Sequence, residues 1–257
     1  MGKKSKEAAR FLIPGFHAVK ESVLEGRAQI EEIWIREGKR GARVHELLEI
    51  SKQKNIPVFF KTGAEMDRRL KGVAHQGISA VAKENIFSDL KELVYRCENS
   101  FEKALIVAAD HITDEGNLGA LIRTAAFFGV HGLILPRDRS AKITQRVLKT
   151  CSGAHAHLCI VEVVNLGRTL DFLSEKDYCI IGAAGESPTS VYEFDWDRDL
   201  VLILGREDKG ISRSIRSRCQ QLVGIQGSGK ISSLNVAIAG AVFLSEIVRQ
   251  RRKEGPP

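Results

Sequence analysis

The stretch "ALIVAADHITDEGNLGALIRTAAFFG" (residues 104–129) decides the fold class of the chain. It opens with an apolar run, "ALIVAA", that is typical of a strand buried on both faces, and it closes with a helix-forming run, "LGALIRTAAFFG". The polar residues "DHITDEGN" separate the two elements. A buried strand, a short polar loop and a helix make up the repeating unit of a parallel sheet covered by helices. The stretch therefore predicts an α/β fold.

The same alternation continues to the end of the chain and also precedes the stretch. Downstream strands are predicted at "GLILP", "LCIVEVV", "YCIIGAA", "LVLILG" and "QLVGIQ", with helices between most of them. Upstream, a smaller unit combines a helix from about Phe16 with strands at "IEEIWI", "IPVFF" and "GISAVA". The predicted organisation is a basic tail (1–10), a small α/β unit (11–84), a linker helix (85–100) and a larger parallel-sheet domain (101–257).

Composition narrows the classes of partner and compartment. The chain has 257 residues and a formal net charge of +7, which suits a polyanion such as RNA because neutralised phosphates release counterions. Its five cysteines include no C-x-x-C pair, which favours a reduced, cytoplasmic protein. No apolar run approaches the ~18 residues of a membrane span, and the N-terminus lacks the apolar core of a signal peptide. We expect no membrane association.

Three polar, glycine-rich segments follow predicted strands. They are "DHITDEGN" (110–117), "GREDKG" (205–210) and "QGSGKISS" (226–233). Ligands of open parallel sheets bind at the carboxyl ends of the strands, so these segments are predicted to meet at one rim.

The third segment contains a partial phosphate-binding loop. Gly224 to Lys230 satisfy G-x-x-x-x-G-K, but a working loop needs Ser or Thr next, where Ile231 stands. The following helix is predicted to start beyond Ser232 or Ser233, too late to present its N-terminus to a phosphate. A loop for some other adenosine-bearing ligand, or a plain turn, fits better than nucleotide hydrolysis.

One further sequence pattern suggests a metal site, but we interpret it as structural. "CSGAHAHLC" (151–159) brings Cys and His together, but residues 155, 157 and 159 would alternate as on a strand and point in parallel, whereas zinc ligands converge. We interpret this stretch as a helix-to-strand junction and expect no metal. No G-x-S-x-G elbow occurs, so a hydrolase serine has no support.

Basic residues recur close to the predicted rim. We favour phosphate contacts for them over plain solvation of helix faces, because a polyanion that reached the rim would meet them. They are Arg137, Arg139, Lys142, Arg146, Lys149, Lys209, Arg213, Arg216 and Arg218.

Three spaced motifs resemble a known family. "NLGALIRTAAFFG" resembles its first motif, "LVLILGREDKG" its second and "ISSLNVAIAGAVFLSEIVRQRR" its third. The family is the TrmH-like branch of the SPOUT (α/β-knot) RNA methyltransferases, and the resemblance covers roughly residues 101–252. The front unit resembles the ribosomal-protein-like RNA-binding domain of a subgroup that modifies a guanosine of 23S ribosomal RNA. The chain departs from the pattern at "GIQ", where Ile-Pro-Met is common, and at Ala237, where Ser is common.

The resemblance implies a trefoil knot in the larger domain, a homodimer with an active site built partly across the interface, and S-adenosylmethionine as methyl donor. It places the adenosine of that cofactor against the backbone of Gly205, Ile225 and Leu234. The catalytic residues that it implies are Arg123, Asn117, Glu207, Ser233 and Asn235.

The chemistry leaves the role of Arg123 open. A ribose hydroxyl must lose its proton as it attacks the methyl group, and the resemblance makes Arg123 the key residue. A free arginine has a pKa of roughly 12.5 to 13.8, so Arg123 is either the base or a phosphate clamp that aligns the hydroxyl. Two alternative functions also stay open: a tRNA methyltransferase of the same family, and a non-catalytic RNA-binding or ribosome-assembly factor.

Overall fold

A computed structural model describes residues 10–26, 28–83, 86–206, 208–231 and 233–252. Most of the predicted basic tail (1–9) and residues 84 and 85 at the first predicted boundary lie outside the described residues. The strands are β1 (Arg10–Pro14), β2 (Gln29–Arg36), β3 (Val58–Lys61), β4 (Ile78–Lys83), β5 (Phe87–Ser88), β6 (Leu105–Ala109), β7 (Gly132–Pro136), β8 (Cys159–Val163), β9 (Cys179–Ala183), β10 (Leu200–Leu204) and β11 (Gln221–Val223). The helices are α1 (Phe16–Glu25), α2 (Ala42–Gln53), α3 (Gly63–Leu70), α4 (Leu90–Glu98), α5 (Glu115–Phe127), α6 (Gln145–Cys151), α7 (Leu166–Ser174), α8 (Arg213–Arg216) and α9 (Val236–Arg251).

The chain forms two compact units. The first contains residues up to 86 together with 143–157, and the second contains 87–142 and 158–257. In the first unit, a four-stranded sheet has the order β1-β4-β2-β3, with β2 and β3 parallel and the other pairs antiparallel. Its core joins Val19 of α1 and Leu47 of α2 to Ile33 and Ile35 of β2.

Residues 143–157 pack within the first unit although they lie between β7 and β8 in the chain. Leu148 of α6 is part of the core of that unit. His155 Nε2 lies 3.1 Å from Ser22 Oγ of α1, and its Nδ1 lies 3.5 Å from Cys151 Sγ. The interpretation of 151–159 as a helix-to-strand junction holds, but the alternation predicted for 155, 157 and 159 is wrong. Residues 154–156 form a 3-10 turn, which takes His155 and His157 to different neighbours, and the strand begins only at Cys159.

The second unit is built on a seven-stranded parallel sheet. Its strand order is β11-β9-β10-β6-β7-β8-β5. Strands β6 and β10 at its centre are buried along their whole length, as their uninterrupted apolar runs require. The predicted fold class is confirmed, and the two-residue edge strand β5 is an addition to the predicted strands.

The predicted linker helix is part of the second unit. Asp89 caps α4 by accepting a hydrogen bond from the backbone of Lys91, and Leu93, Val94 and Cys97 lie in the main core. Gly132 of β7 is in contact with Leu93, because a β-carbon there would come within 2.3 Å of the leucine side chain. Helix α4 therefore covers the sheet.

The last helix lies between two parts of the second unit. On one side α9 packs against α5, and Gly240 of α9 faces Leu121 of α5. On the other side, Phe243 of α9 stacks edge-on with buried Trp196, and Gln250 donates a hydrogen bond to the Phe194 carbonyl. The segment that contains Phe194 and Trp196 therefore packs against α9.

Within the described residues, no helix is long and apolar enough to cross a membrane.

Candidate active site

The polar loops that follow β6 and β10 meet at one edge of the parallel sheet. Asp110, directly after β6, donates its backbone N–H to the Leu204 carbonyl at 2.8 Å. Its buried carboxylate accepts from the Ser212 backbone N–H at 2.6 Å and lies 2.5 Å from His111 Nδ1. For the first two of the three segments predicted to meet, the convergence is confirmed, and Asp110 joins them. No role was predicted for Asp110, although a carboxylate directly after an apolar strand is a usable signal.

The first and third motifs meet through two asparagines. Asn235 Nδ2 donates a hydrogen bond to Asn117 Oδ1 at 2.8 Å, across 118 residues of sequence. Asn235 also caps α9, because its side-chain oxygen accepts from the backbone of Ala237 at 2.9 Å. Asp114 does the same for α5 by accepting from the Asn117 backbone. The two helix N-termini are therefore held beside each other, and their partial positive charges face the same rim.

Two glycines allow the chain to approach itself closely at this rim. A β-carbon at Gly205 would lie 2.2 Å from the carbonyl carbon of Gly210, and one at Gly224 would lie 2.8 Å from the Ala184 carbonyl oxygen. No side chain fits at either point. Sequence reasoning assigned Gly205 to the cofactor, and the structure adds that the turn itself requires glycine there.

The backbone at the predicted cofactor positions has no backbone partner among the described residues. Gly205, Ile225 and Leu234 make no backbone hydrogen bond to the rest of the described chain. Ile225 follows Gly224, whose N–H and C=O pair with Thr189 and Val191, and Leu234 immediately precedes the capping Asn235. A polar ligand that used backbone groups, as an adenine ring can, would find unpaired donors and acceptors on both loops.

The remaining predicted catalytic residues differ in how far the structure places them. Arg123 is exposed on α5 and makes no hydrogen bond or ion pair with the described part of the chain. Ser233 is exposed two residues before Asn235. Glu207 lies outside the described residues. The structure therefore brings Asn117 and Asn235 together and leaves Arg123 available to a partner outside the described chain.

Nearby ion pairs set the charge of the rim. Arg206 holds Asp208 through two hydrogen bonds of 2.9 and 2.8 Å, and this contact lowers the pKa of the Asp208 carboxyl. The hydrogen bond from Arg216 likewise lowers the pKa of Glu186. Within the described residues, no three His, Cys, Asp or Glu side chains converge as metal ligands would.

Residues 104–245 match the model of the SpoU rRNA methylase family. The chain belongs to the SpoU rRNA methylase family. Residues 12–87 match a second model, described as RNA 2'-O ribose methyltransferase substrate binding. The SpoU match spans six of the seven strands of the parallel sheet, β6 to β11, and the second match spans most of the first unit.

Curated relatives agree with this assignment. The chain is 38% identical over 243 residues, 93% of its length and 96% of the relative, to a 23S rRNA (guanosine-2'-O-)-methyltransferase from Pseudomonas putida. It is 32% identical to a putative TrmH family tRNA/rRNA methyltransferase from Staphylococcus haemolyticus, with 95% and 97% coverage.

Among solved structures, the SpoU methyltransferase AviRb from Streptomyces viridochromogenes, in complex with the cofactor AdoMet, superposes with a TM-score of 0.80. The match covers 94% of this chain and 90% of that one at 24% identity, so it supports the fold alone. A TrmH/SpoU tRNA modifying enzyme from A. aeolicus, 30% identical with a TM-score of 0.53, covers 63% of this chain and 83% of its own.

Proposed function

We propose that this protein transfers a methyl group from S-adenosylmethionine to the ribose 2'-hydroxyl of a guanosine in 23S ribosomal RNA. The contact between Asn235 and Asn117 carries the proposal within the structure, because it joins two family motifs at the carboxyl edge of the sheet. Membership of the SpoU family and the similarity to 23S guanosine methyltransferases support the same reaction.

The residues that would hold S-adenosylmethionine are Gly205, Ile225 and Leu234, through their backbone groups. The donor set fits this ligand, since an adenosine without phosphates needs hydrogen-bonding backbone and close approach but no phosphate-binding lysine. When bound, S-adenosylmethionine supplies an electrophilic methyl group. The chain itself must align the ribose and provide for the hydroxyl proton.

We propose that Arg123 binds an RNA phosphate and so aligns the hydroxyl. Its exposed guanidinium has no carboxylate partner in the described chain, so the charge is available to a phosphate. Arg123 as base stays the alternative, and a lysine variant separates the two roles. A clamp tolerates another cation, whereas a base that depends on guanidinium geometry does not.

Asn117 and Asn235 would orient the reacting groups, and Ser233 would contribute its hydroxyl beside them. The N-terminus of α9, with its positive dipole end, would stabilise an oxyanion that develops on the ribose oxygen or bind a neighbouring phosphate. Glu207 completes the proposed set as a partner for an arginine or for backbone amides in the 205–210 loop.

We propose that the protein acts as a homodimer. Helices α5 and α9 each present a large apolar side chain to solvent, since Phe127 is 81% and Ile238 56% exposed. Arg123 lies one turn from Phe127 on the same face of α5, so a second copy that covered this face would also meet the arginine. A cytoplasmic location accompanies the proposal and fits five cysteines that are all free thiols.

Tritium transfer from labelled S-adenosylmethionine tests the proposed function. The full chain should label 23S ribosomal RNA stripped of native methylation, and mass-spectrometric mapping should find the label on one guanosine ribose. Label on tRNA instead would establish the alternative that the similarity to a tRNA modifying enzyme raises. Absence of transfer to either RNA, with RNA binding retained, would point to a non-catalytic factor.

A further inference from the structure

Ion pairs hold both ends of the loop between β7 and α6, and one arginine between them makes no ion pair with the described residues. Arg137 Nε lies 3.2 Å from Glu162 Oε2, and Lys142 Nζ lies 3.4 Å from Oε1 of the same carboxylate. Lys142 also donates to the Arg137 carbonyl, and the Arg137 backbone N–H donates to the Val163 carbonyl. The two outer cations of the loop therefore share one carboxylate, and these contacts attach both ends of the loop to β8.

Arg139, which lies between Arg137 and Lys142, has a different environment. It is exposed and makes no ion pair with the described residues, and its backbone is left-handed with φ 57°. Non-glycine residues in this region are uncommon and are found preferentially where the surrounding structure holds them for a function. The contacts of Arg137 and Lys142 supply that constraint for the backbone at Arg139.

The segment after β10 repeats this division of its cations. Arg206 is paired with Asp208, Arg216 with Glu186, and Arg218 with Asp171 at 2.8 Å. Arg213, on the same helix α8 as Arg216, is exposed and unpaired within the described chain. Among the described residues, each loop thus combines cations that form ion pairs with an arginine that forms none.

The two free arginines lie on loops that flank the end of β6. The Ala141 backbone N–H donates to the Ile112 carbonyl at 2.8 Å, which ties the Arg139 loop to the segment after Asp110. On the other side, the Ser212 backbone N–H donates to the Asp110 carboxylate. The segment 110–112, which leads to Asn117 and Arg123, is therefore bordered by Arg139 on one loop and Arg213 on the other.

We propose that Arg139 and Arg213 bind backbone phosphates of the RNA on either side of the target nucleotide. The cations of the same loops that pair with carboxylates would hold the loops in shape. An exposed arginine without a carboxylate gains a charge-assisted contact from a phosphate, whereas a paired arginine must first give up an existing partner. The Asp208 carboxylate repels the RNA only weakly because it is paired with Arg206. Asp138, an exposed carboxylate, adjoins Arg139. The inference rests on the proposed function.

The salt dependence of RNA affinity tests the assignment, because its slope counts phosphate contacts. The chain offers two matched pairs with the same charge change in the same segment: Arg139→Gln against Arg137→Gln, and Arg213→Gln against Arg216→Gln. The logarithm of the affinity for an unmethylated 23S transcript would be measured against the logarithm of salt concentration, without methyl transfer. Each free-arginine variant should lower the slope by about 0.7 to 0.9, and each paired-arginine variant by much less.

Two controls keep the outcomes apart. Affinity for S-adenosylmethionine should be unchanged in all four variants, since none of these residues lies in the proposed cofactor site. Equal slopes within both matched pairs would overturn the phosphate assignment while leaving the proposed function intact. A wild-type protein without salt-dependent affinity for the transcript would contradict the proposed RNA substrate itself.

Discussion

Acidification should weaken the packing of residues 143–157 on helix α1, and the buried imidazole of His155 determines the size of the effect. Ser22 Oγ donates to the Ala18 carbonyl at 2.7 Å, so it accepts the hydrogen bond from His155 Nε2. The network therefore assigns the proton to Nε2 and leaves Nδ1 facing the thiol of Cys151. A second proton on Nδ1 would face sulfur, which is a weak acceptor, in a site that desolvates the charge.

The pKa of His155 reflects the same penalty for placing a charge on the buried ring. Burial lowers it from 6.5 to about 4, and the neighbouring charge of His157 adds to the shift. Because the folded-state pKa is the lower one, the unfolded state takes up more protons between pH 6.5 and about 4. The contribution of His155 to the free energy of unfolding is therefore fully present above pH 6.5, and it falls as the pH falls through this window. Between pH 7 and pH 5 the loss from this one group is about 2 kcal/mol.

Hydrogen exchange of peptides from α1 and α6 measures this loss, after correction for the intrinsic exchange rate at each pH. In the His155→Gln variant, which can still donate to Ser22 but does not titrate, the difference between pH 7 and pH 5 should shrink by about 2 kcal/mol. The control is His157→Gln, which changes an exposed histidine two residues away that pairs with Glu21 at 2.9 Å. If the His155 variant kept the full pH dependence, or the His157 variant lost it, the argument from burial would be wrong.

Four further predictions test the site and the fold. Arg123→Ala should reduce methyl transfer at least tenfold with S-adenosylmethionine affinity within a few-fold, and turnover above a tenth of wild type would refute its role. Arg123→Lys should recover part of the activity if the residue is a clamp. Gly205→Ala, which puts a β-carbon 2.2 Å from backbone, should lose cofactor binding in calorimetry, whereas Gly227→Ala, with no atom within 4 Å, should not. Lys230→Ala should leave S-adenosylmethionine affinity unchanged, and tight binding of ATP with magnesium that disappeared in this variant would revive the nucleotide loop. Arg251→Ala should lower the free energy of unfolding by about 3 kcal/mol in urea titrations, because four backbone carbonyls lose their hydrogen-bond donor. As a control, Arg252→Ala at the exposed neighbouring position should change it by less than about 0.5 kcal/mol.

Much of the parallel sheet is predictable from sequence because its strands are buried on both faces. Uninterrupted apolar runs such as those of β6 and β10 have few other structures open to them, and the strand-end rule then groups the polar loops without knowledge of strand order. The same reasoning places Asn117 and Asn235 at one rim, where the structure joins them. The sequence analysis does not predict strand β1, since its apolar run is short and directly follows a basic tail.

The contacts that give individual side chains their roles are less accessible to sequence reasoning. Arg137, Arg139, Arg213 and Arg216 all carry the same charge and lie in polar segments, and the sequence treats them alike. Which of them forms an ion pair depends on the positions of Glu162 and Glu186, which lie on other strands and loops. Ion pairs of this kind depend on distances of a few ångströms between distant parts of the chain, and no spacing in the sequence encodes them.

Helix α6 shows how a correctly predicted element can belong to an unexpected core. Its sequence predicts an apolar face, and Val147, Leu148 and Cys151 are indeed buried. A crossover between two parallel strands ordinarily covers the sheet to which those strands belong, but an apolar face does not specify which surface it covers. Because 143–157 packs in the first unit, the chain passes between the two units three times, at 86, 142 and 157. The unit matched by the substrate-binding model is therefore completed by residues from within the methyltransferase sequence, and a chain that began after residue 84 would expose the face of α6 that Leu148 now buries.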